Sequence, residues 1–307
     1  MFKQIAVISG KGGTGKTTLS ASFIDLFNNS IGVDCDVDAS NLFLLFDTKL
    51  EKQYDYYGGK KAVLNSEKCI SCGKCKTLCK FEAITEKNSE FLIDEFSCEG
   101  CGRCVINCPV GAIELIDNRA GEYYKSSREK TFLIHANLEP GEETSGGLVA
   151  EVRKLANKIA KEENHEIVII DGSPGIGCPA TSSITGVSYV VIVTEPSMSG
   201  IHDLKRIIDT AKHFKREFGI VINKYDINAE NTKYIEDFCK NENIEILGKI
   251  PFDKNIMKAT NEKNPITKYV SISSKEILLI SKKVLKIIRG EKNWKCHYVQ
   301  RKKILIR

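Results

Sequence analysis

Eight cysteines between Cys69 and Cys108 constrain this chain more than any other feature. Cys69, Cys72, Cys75 and Cys79 are followed by Cys98, Cys101, Cys104 and Cys108, each set reading C-x2-C-x2-C-x3-C. The second copy starts 29 residues after the first, and the likeness continues past the cysteines, with Ala83-Ile84 matching Ala112-Ile113. Four thiolates suit both Zn²⁺ and iron–sulfur clusters, so the spacing has to decide. A structural zinc site pairs C-x2-C with a second pair after a gap. Three cysteines at successive x2 intervals instead wrap one cubane and leave the fourth apart, and here that pattern occurs twice. The expectation is two [4Fe-4S] clusters. In such a pair the fourth cysteine serves the other cluster, which assigns Cys69, Cys72, Cys75 and Cys108 to one and Cys98, Cys101, Cys104 and Cys79 to the other. The second set ends Cys108-Pro109, whereas the first ends Cys79-Lys80, placing a cation where the repeat has proline.

The remaining residues read as a different kind of chain. With 307 residues and 42% hydrophobic content it can bury a large core. The four cysteines outside the repeat (Cys35, Cys178, Cys239 and Cys296) share no spacing that implies disulfides, and Cys178 reads as a buried thiol. No apolar run is long enough to span a bilayer, and the start runs directly into a strand without a signal core, so a reducing cytoplasm is expected. The net charge of +5 is concentrated at one end. Lys282 to Arg307 carries ten Lys or Arg against the single acid Glu291, leaving about −4 elsewhere. A general nucleic-acid surface is therefore not expected. The basic stretch 291–307 reads as a solvated tail or a site for an acidic partner rather than a membrane segment.

Apolar Ile5 to Ser9 leads into Gly10-Lys11-Gly12-Gly13-Thr14-Gly15-Lys16-Thr17-Thr18 and then a helical stretch, which is strand, glycine loop, helix. The loop satisfies G-x4-G-K-[ST]: glycines let backbone amides approach phosphate, Lys16 neutralises the β and γ phosphates, and the Thr17 hydroxyl ligates Mg²⁺. Asp171 ends the apolar strand near Ile167 to Ile170, where a second carboxylate of the metal shell is expected. Asp36 lies past the second strand and could orient water on the γ-phosphate, although Asp34 and Asp38 compete for that role. Further apolar strands near Val190, Gly219 and Glu245 alternate with helices, the last from Ile277 to Ile288. This predicts an α/β P-loop fold with a mostly parallel sheet covered by helices on both faces. Residues 1–58 and 119–290 would form that discontinuous domain and 59–118 a small inserted α+β ferredoxin-like domain, with Lys49 to Lys68 read as a polar bridge.

Lys11 within Lys11-Gly12-Gly13-Thr14-Gly15-Lys16-Thr17 is the additional lysine of the deviant Walker A loop. On that motif the chain resembles the MinD/Mrp group of P-loop ATPases, to which the nitrogenase iron protein is related, and within it the members carrying an inserted two-cluster ferredoxin domain. The resemblance extends to about Arg289. It implies an ATP-bridged homodimer in which Lys11 acts in trans, Asp36 as the catalytic carboxylate of switch I, and Asp171-Gly-Ser-Pro-Gly as Walker B and switch II. It also implies that Asn223, in Val221-Ile-Asn-Lys, reads adenine, and that the loop at Pro251 packs against the base. Gly147 stands where the family often has lysine.

The combination predicts an ATPase coupling nucleotide-driven dimer switching to electron transfer towards a redox protein. The alternatives are an assembly or carrier ATPase that delivers iron–sulfur or another metallocofactor to a protein partner, and a positioning ATPase whose clusters sense redox state.

Overall fold

The computed structural model describes residues 2–128, 131–142 and 145–290; the basic tail at 291–307 lies outside them. Their strands are β1 (Lys3–Ile8), β2 (Ser30–Asp34), β3 (Lys49–Leu64), β4 (Ile84–Lys87), β5 (Glu90–Ile93), β6 (Ile113–Arg128), β7 (Thr131–Leu138), β8 (Ile167–Asp171), β9 (Tyr189–Thr194), β10 (Phe218–Asn223) and β11 (Ile246–Ile250). The helices are α1 (Lys16–Leu26), α2 (Lys74–Leu78), α3 (Arg103–Ile106), α4 (Ser145–Glu162), α5 (Cys178–Ile184), α6 (Met198–His213), α7 (Ala229–Asn241), α8 (Asn255–Asn261) and α9 (Ile272–Arg289).

One sheet runs β11-β10-β9-β1-β8-β2-β7-β6-β3, parallel from β11 to β7 and antiparallel through β6 and β3. The five strands β1, β2, β8, β9 and β10 are apolar almost end to end because helices cover both faces. Side chains alternate between the faces: Ile5 and Val7 enter one core cluster, Ala6 and Ile8 the other. The parallel strands share one direction, so the turns after β1, β2, β8, β9 and β10 gather along one edge, where ligands bind in open α/β sheets. Asp34 and Asp171 stand opposite each other in the β2–β8 register.

The stretch expected to bridge into the insert is instead a strand. β3 pairs with β6 from Lys49↔Ser127 to Leu64↔Ile113, interrupted by bulges near Leu50, Tyr56 and Tyr57. Residues 65–112 fold at the far end of this ribbon around a separate small cluster of Ala62, Ala83, Cys98 and Ile113. The insert therefore hangs from a ribbon that is continuous with the main sheet. The bounds 59–118 fall within the two strands.

Candidate functional site

The phosphate loop leaves β1 and enters α1 at Lys16. Gly13 (φ 77°) and Gly15 (φ 91°) take left-handed backbone that other residues avoid. Gly15 has a second reason to be glycine, because a Cβ there would lie 2.2 Å from the Asn223 side-chain nitrogen. No atom stands within 4 Å of a Cβ built on Gly12 or Gly13, so this side of the loop is open.

Lys16 is buried, and its Nζ donates to Asp171 Oδ1 at 3.1 Å; Ser20 Oγ donates to the same oxygen at 2.8 Å. Burial works against the Lys16 charge, but Asp171, Asp34 and Asp36 outweigh it and push the pKa above its ordinary value. Two buried polar atoms here lack a hydrogen-bond partner, Asp171 Oδ2 and Thr14 Oγ1. An orphaned carboxylate oxygen beside a lysine and an open glycine loop suits a hard cation carrying phosphates.

Of the three aspartates at and beyond the end of β2, Asp34 is committed to structure. It is fully buried and accepts from the backbone of Asp36, Asn41 and Leu42 and from Ser40 Oγ. Burial, reinforced by Asp171, pushes its pKa up to about 6. Asp36 is partly buried, which raises its pKa, while Lys16 pulls the other way. The turn after β8 is pinned to the loop strand, with Gly172 N donating to Val7 O and Gly175 N to Ser9 O at 2.9 Å each.

Asn223 is buried and donates to the Thr14 carbonyl at 2.7 Å, bracing the phosphate loop. Pro251 is buried and its carbonyl accepts from Ser273 Oγ; the exposed residue beside it is Phe252. Lys11 lies against Glu195, 2.7 Å from Oε1. Glu195 and Lys224 are not among the expected site residues, although Lys224 ends the Val221-Ile-Asn-Lys run. Cys178 corrects an expectation, because it is exposed at the first residue of α5.

The cysteine repeat folds as a repeat. Gly73 (φ 73°) and Gly102 (φ 74°) open the short helices α2 and α3. Asn65 and Asp94, each four residues before the first cysteine of its set, accept from Lys68 N and Ser97 N through their side chains. Their own amides donate to the carbonyls of Ala112 and Ala83. Two cavities result. One is lined by Cys69, Cys72, Cys75 and Cys108 among apolar residues such as Leu64, Phe91 and Ile113. The other is lined by Cys79, Cys98, Cys101 and Cys104 with Ala62, Phe81 and Ile93. Backbone N–H groups point at sulfur in both, Ala112 N at Cys108 Sγ (3.2 Å) and Ala62 N at Cys98 Sγ (3.4 Å). Among the described residues, no three His, Cys, Asp or Glu side chains gather closely enough for a single metal ion; the thiols surround the cavities instead.

The insert touches the loop leading into α4. A Cβ on Gly141 would meet the Phe96 ring at 3.4 Å, Glu142 stands 3.6 Å from Lys61, and Asn118 Nδ2 donates to Glu142 at 2.9 Å. That loop adjoins the turn after β2, where Leu138 N donates to the Val37 carbonyl at 3.0 Å. A second link is an aromatic stack: the His135 ring on β7 lies 4.7 Å from that of Phe43, in the 3-10 turn that follows the β2 aspartates, and 5.0 Å from that of Tyr124 of the ribbon.

A family model for the CobQ/CobB/MinD/ParA nucleotide binding domain matches residues 5–266. An uncharacterized protein of Methanocaldococcus jannaschii is 35% identical over 261 residues, 84% of this chain and 87% of its own length. The structure of the septum site-determining protein MinD complexed with Mg-ADP from Pyrococcus horikoshii aligns with a TM-score of 0.57 at 19% identity, covering 95% of this chain and all of that one. A shorter match, 38% over 64 residues, is to a putative oxidoreductase, UacF, of Escherichia coli; it covers 20% of this chain and 10% of that protein.

Proposed function

The chain belongs to the CobQ/CobB/MinD/ParA nucleotide-binding family and is a P-loop ATPase, and we propose that it couples ATP turnover to electron transfer through two [4Fe-4S] clusters. The observation that carries this reading is the pair of cavities, each lined by four cysteines, three from one copy of the repeat and the last from the other. Bound there, each cluster supplies a one-electron site whose potential the protein tunes through N–H···S bonds and burial. The short match to a putative oxidoreductase points the same way.

The hydrolytic half follows from the site. With nucleotide bound, Lys16 would turn from Asp171 to the β and γ phosphates, and Thr17 and Asp171 would hold Mg²⁺. Asp36 orients the attacking water; the bond from the γ-phosphorus to the ADP oxygen breaks, giving ADP and phosphate. ATP bridges two copies of the chain, with Lys11 of each reaching the other's phosphates. Movement of switch I reaches the insert through Val37–Leu138 to Glu142 and Lys61, and through the stack of Phe43, His135 and Tyr124.

Anaerobic purification followed by iron, sulfide and visible-absorption measurements tests the cluster half. Two clusters per chain, retained in Lys16→Ala while ATP hydrolysis is lost, is the expected result. A chain that takes up zinc and no iron would refute it.

A further inference from the structure

Lys11 makes three contacts, one for each ammonium hydrogen: Glu195 Oε1 at 2.7 Å, Ser199 Oγ at 2.9 Å and Ser197 Oγ at 3.1 Å. All three acceptors lie between the end of β9 and the first turn of α6, so the side chain is turned onto its own protomer. Glu195 is shared. Its side chain is only 13% exposed, and Oε2 accepts from Lys224 at 3.0 Å, while Lys224 also donates to the Gly13 carbonyl at 3.0 Å. Burial by itself would favour a protonated Glu195; the two lysines outweigh it and keep the carboxylate ionised. A half-buried carboxylate between two cations gives up one of them at a cost, because water does not fully replace it.

We propose that Glu195 is a positioning residue that holds Lys11 retracted against α6, so that Lys11 reaches the nucleotide of a second copy of the chain only after Glu195 releases it. Lys224 stays behind as the second cation and keeps Glu195 tied to the phosphate loop. The carboxylate thereby opposes premature pairing of two protomers. This rests on the ATP-bridged dimer proposed above, and the two parts are separable by experiment.

The first measurement needs no dimer. Nucleotide-free full-length protein is treated with acetic anhydride at low protein concentration, and the labelling of individual lysines is followed by peptide mass spectrometry, with exposed Lys154 as reference. Lys11 should label several-fold faster in Glu195→Gln than in wild type, with the shorter but charged Glu195→Asp in between. Ser199→Ala, an exposed change that removes one acceptor, should give a smaller increase and serves if the Glu195 variants fold poorly. Equal Lys11 labelling in wild type and in every folded variant overturns the proposal.

The second measurement is ATPase rate per chain against protein concentration in Mg-ATP. The half-maximal concentration should fall several-fold in Glu195→Gln. A wild-type rate independent of concentration would defeat the dimer and leave the labelling result to decide the retraction. A concentration-dependent rate that Glu195→Gln leaves unshifted, or shifts upward, overturns the proposed control of pairing.

Discussion

Gly15 shows how tightly single residues are specified at the nucleotide site. Alanine there would carry a left-handed backbone angle and push against the Asn223 amide. Gly15→Ala should cost about 2 kcal/mol from backbone strain alone, read as a lower midpoint in denaturant, and should weaken nucleotide binding because Asn223 braces the loop. A second prediction concerns His135. Burial holds its pKa at about 4, below the ordinary value of 6.5, so the unfolded chain binds a proton there between those two pH values and the folded chain does not. Stability from this residue is complete above pH 6.5 and is lost as pH falls towards 4, by about 3 kcal/mol at most. Asp34, raised to about 6, pulls in the opposite direction, so the measurement is the difference between wild type and His135→Gln in urea midpoints across that window. The difference should change with pH, and parallel profiles would contradict the assignment. The placing of Lys16 at the start of α1 and of Asp171 at the end of a buried strand was legible in the sequence, because the loop motif and the strand pattern fix both without knowledge of any distant contact. The ties of Lys11 to Glu195 and of Asn223 to Thr14 were not, since each joins residues far apart in the chain. Cys178 was misjudged for a related reason: it heads α5, and at a first turn hydrophobic character does not decide burial.

At the scale of elements, the repeat was the most legible part and the ribbon the least. The glycine, asparagine or aspartate, alanine and isoleucine positions recur with the cysteines, so the two copies could be expected to fold alike. β3 is exposed along most of its length, leaving no alternation of polar and apolar residues to read as a strand. Its 16 residues span about 50 Å of contour at ~3.3 Å per residue, long enough for the insert to project from the sheet. The crossed ligand sets predict a specific outcome for paired substitutions. Cys72→Ala with Cys108→Ala removes two ligands from one set, so half of the iron should remain; loss of all of it would mean that each repeat holds its own cluster. The contact of Lys61 and Asn118 with Glu142 makes another prediction. Glu142→Ala should leave ATP hydrolysis within about twofold, since Glu142 lies outside the phosphate loop and removes a partly buried pair worth on the order of 1 kcal/mol, while reducing any effect of nucleotide on the insert. Hydrolysis and electron paramagnetic resonance on the same preparation check both halves.

The whole molecule carries its two candidate sites on one sheet and the ribbon continuous with it. The nucleotide edge gathers at the carboxyl ends of β1, β2, β8, β9 and β10, and the cysteine cavities lie beyond the antiparallel ribbon at the other side of β7. The contacts between them run through Val37 and Phe43, β7 and the loop before α4. No helix among the described residues is long and apolar enough to cross a membrane. Coupling is the central claim, and it is tested most directly by an anaerobic redox titration followed by electron paramagnetic resonance, with no nucleotide, with ADP and with ATP. Two four-iron signals are expected, of which at least one changes potential or line shape with ATP in wild type and in neither Lys16→Ala nor Glu142→Ala. Signals that are identical in all three nucleotide conditions, in a protein that hydrolyses ATP, would contradict the coupling.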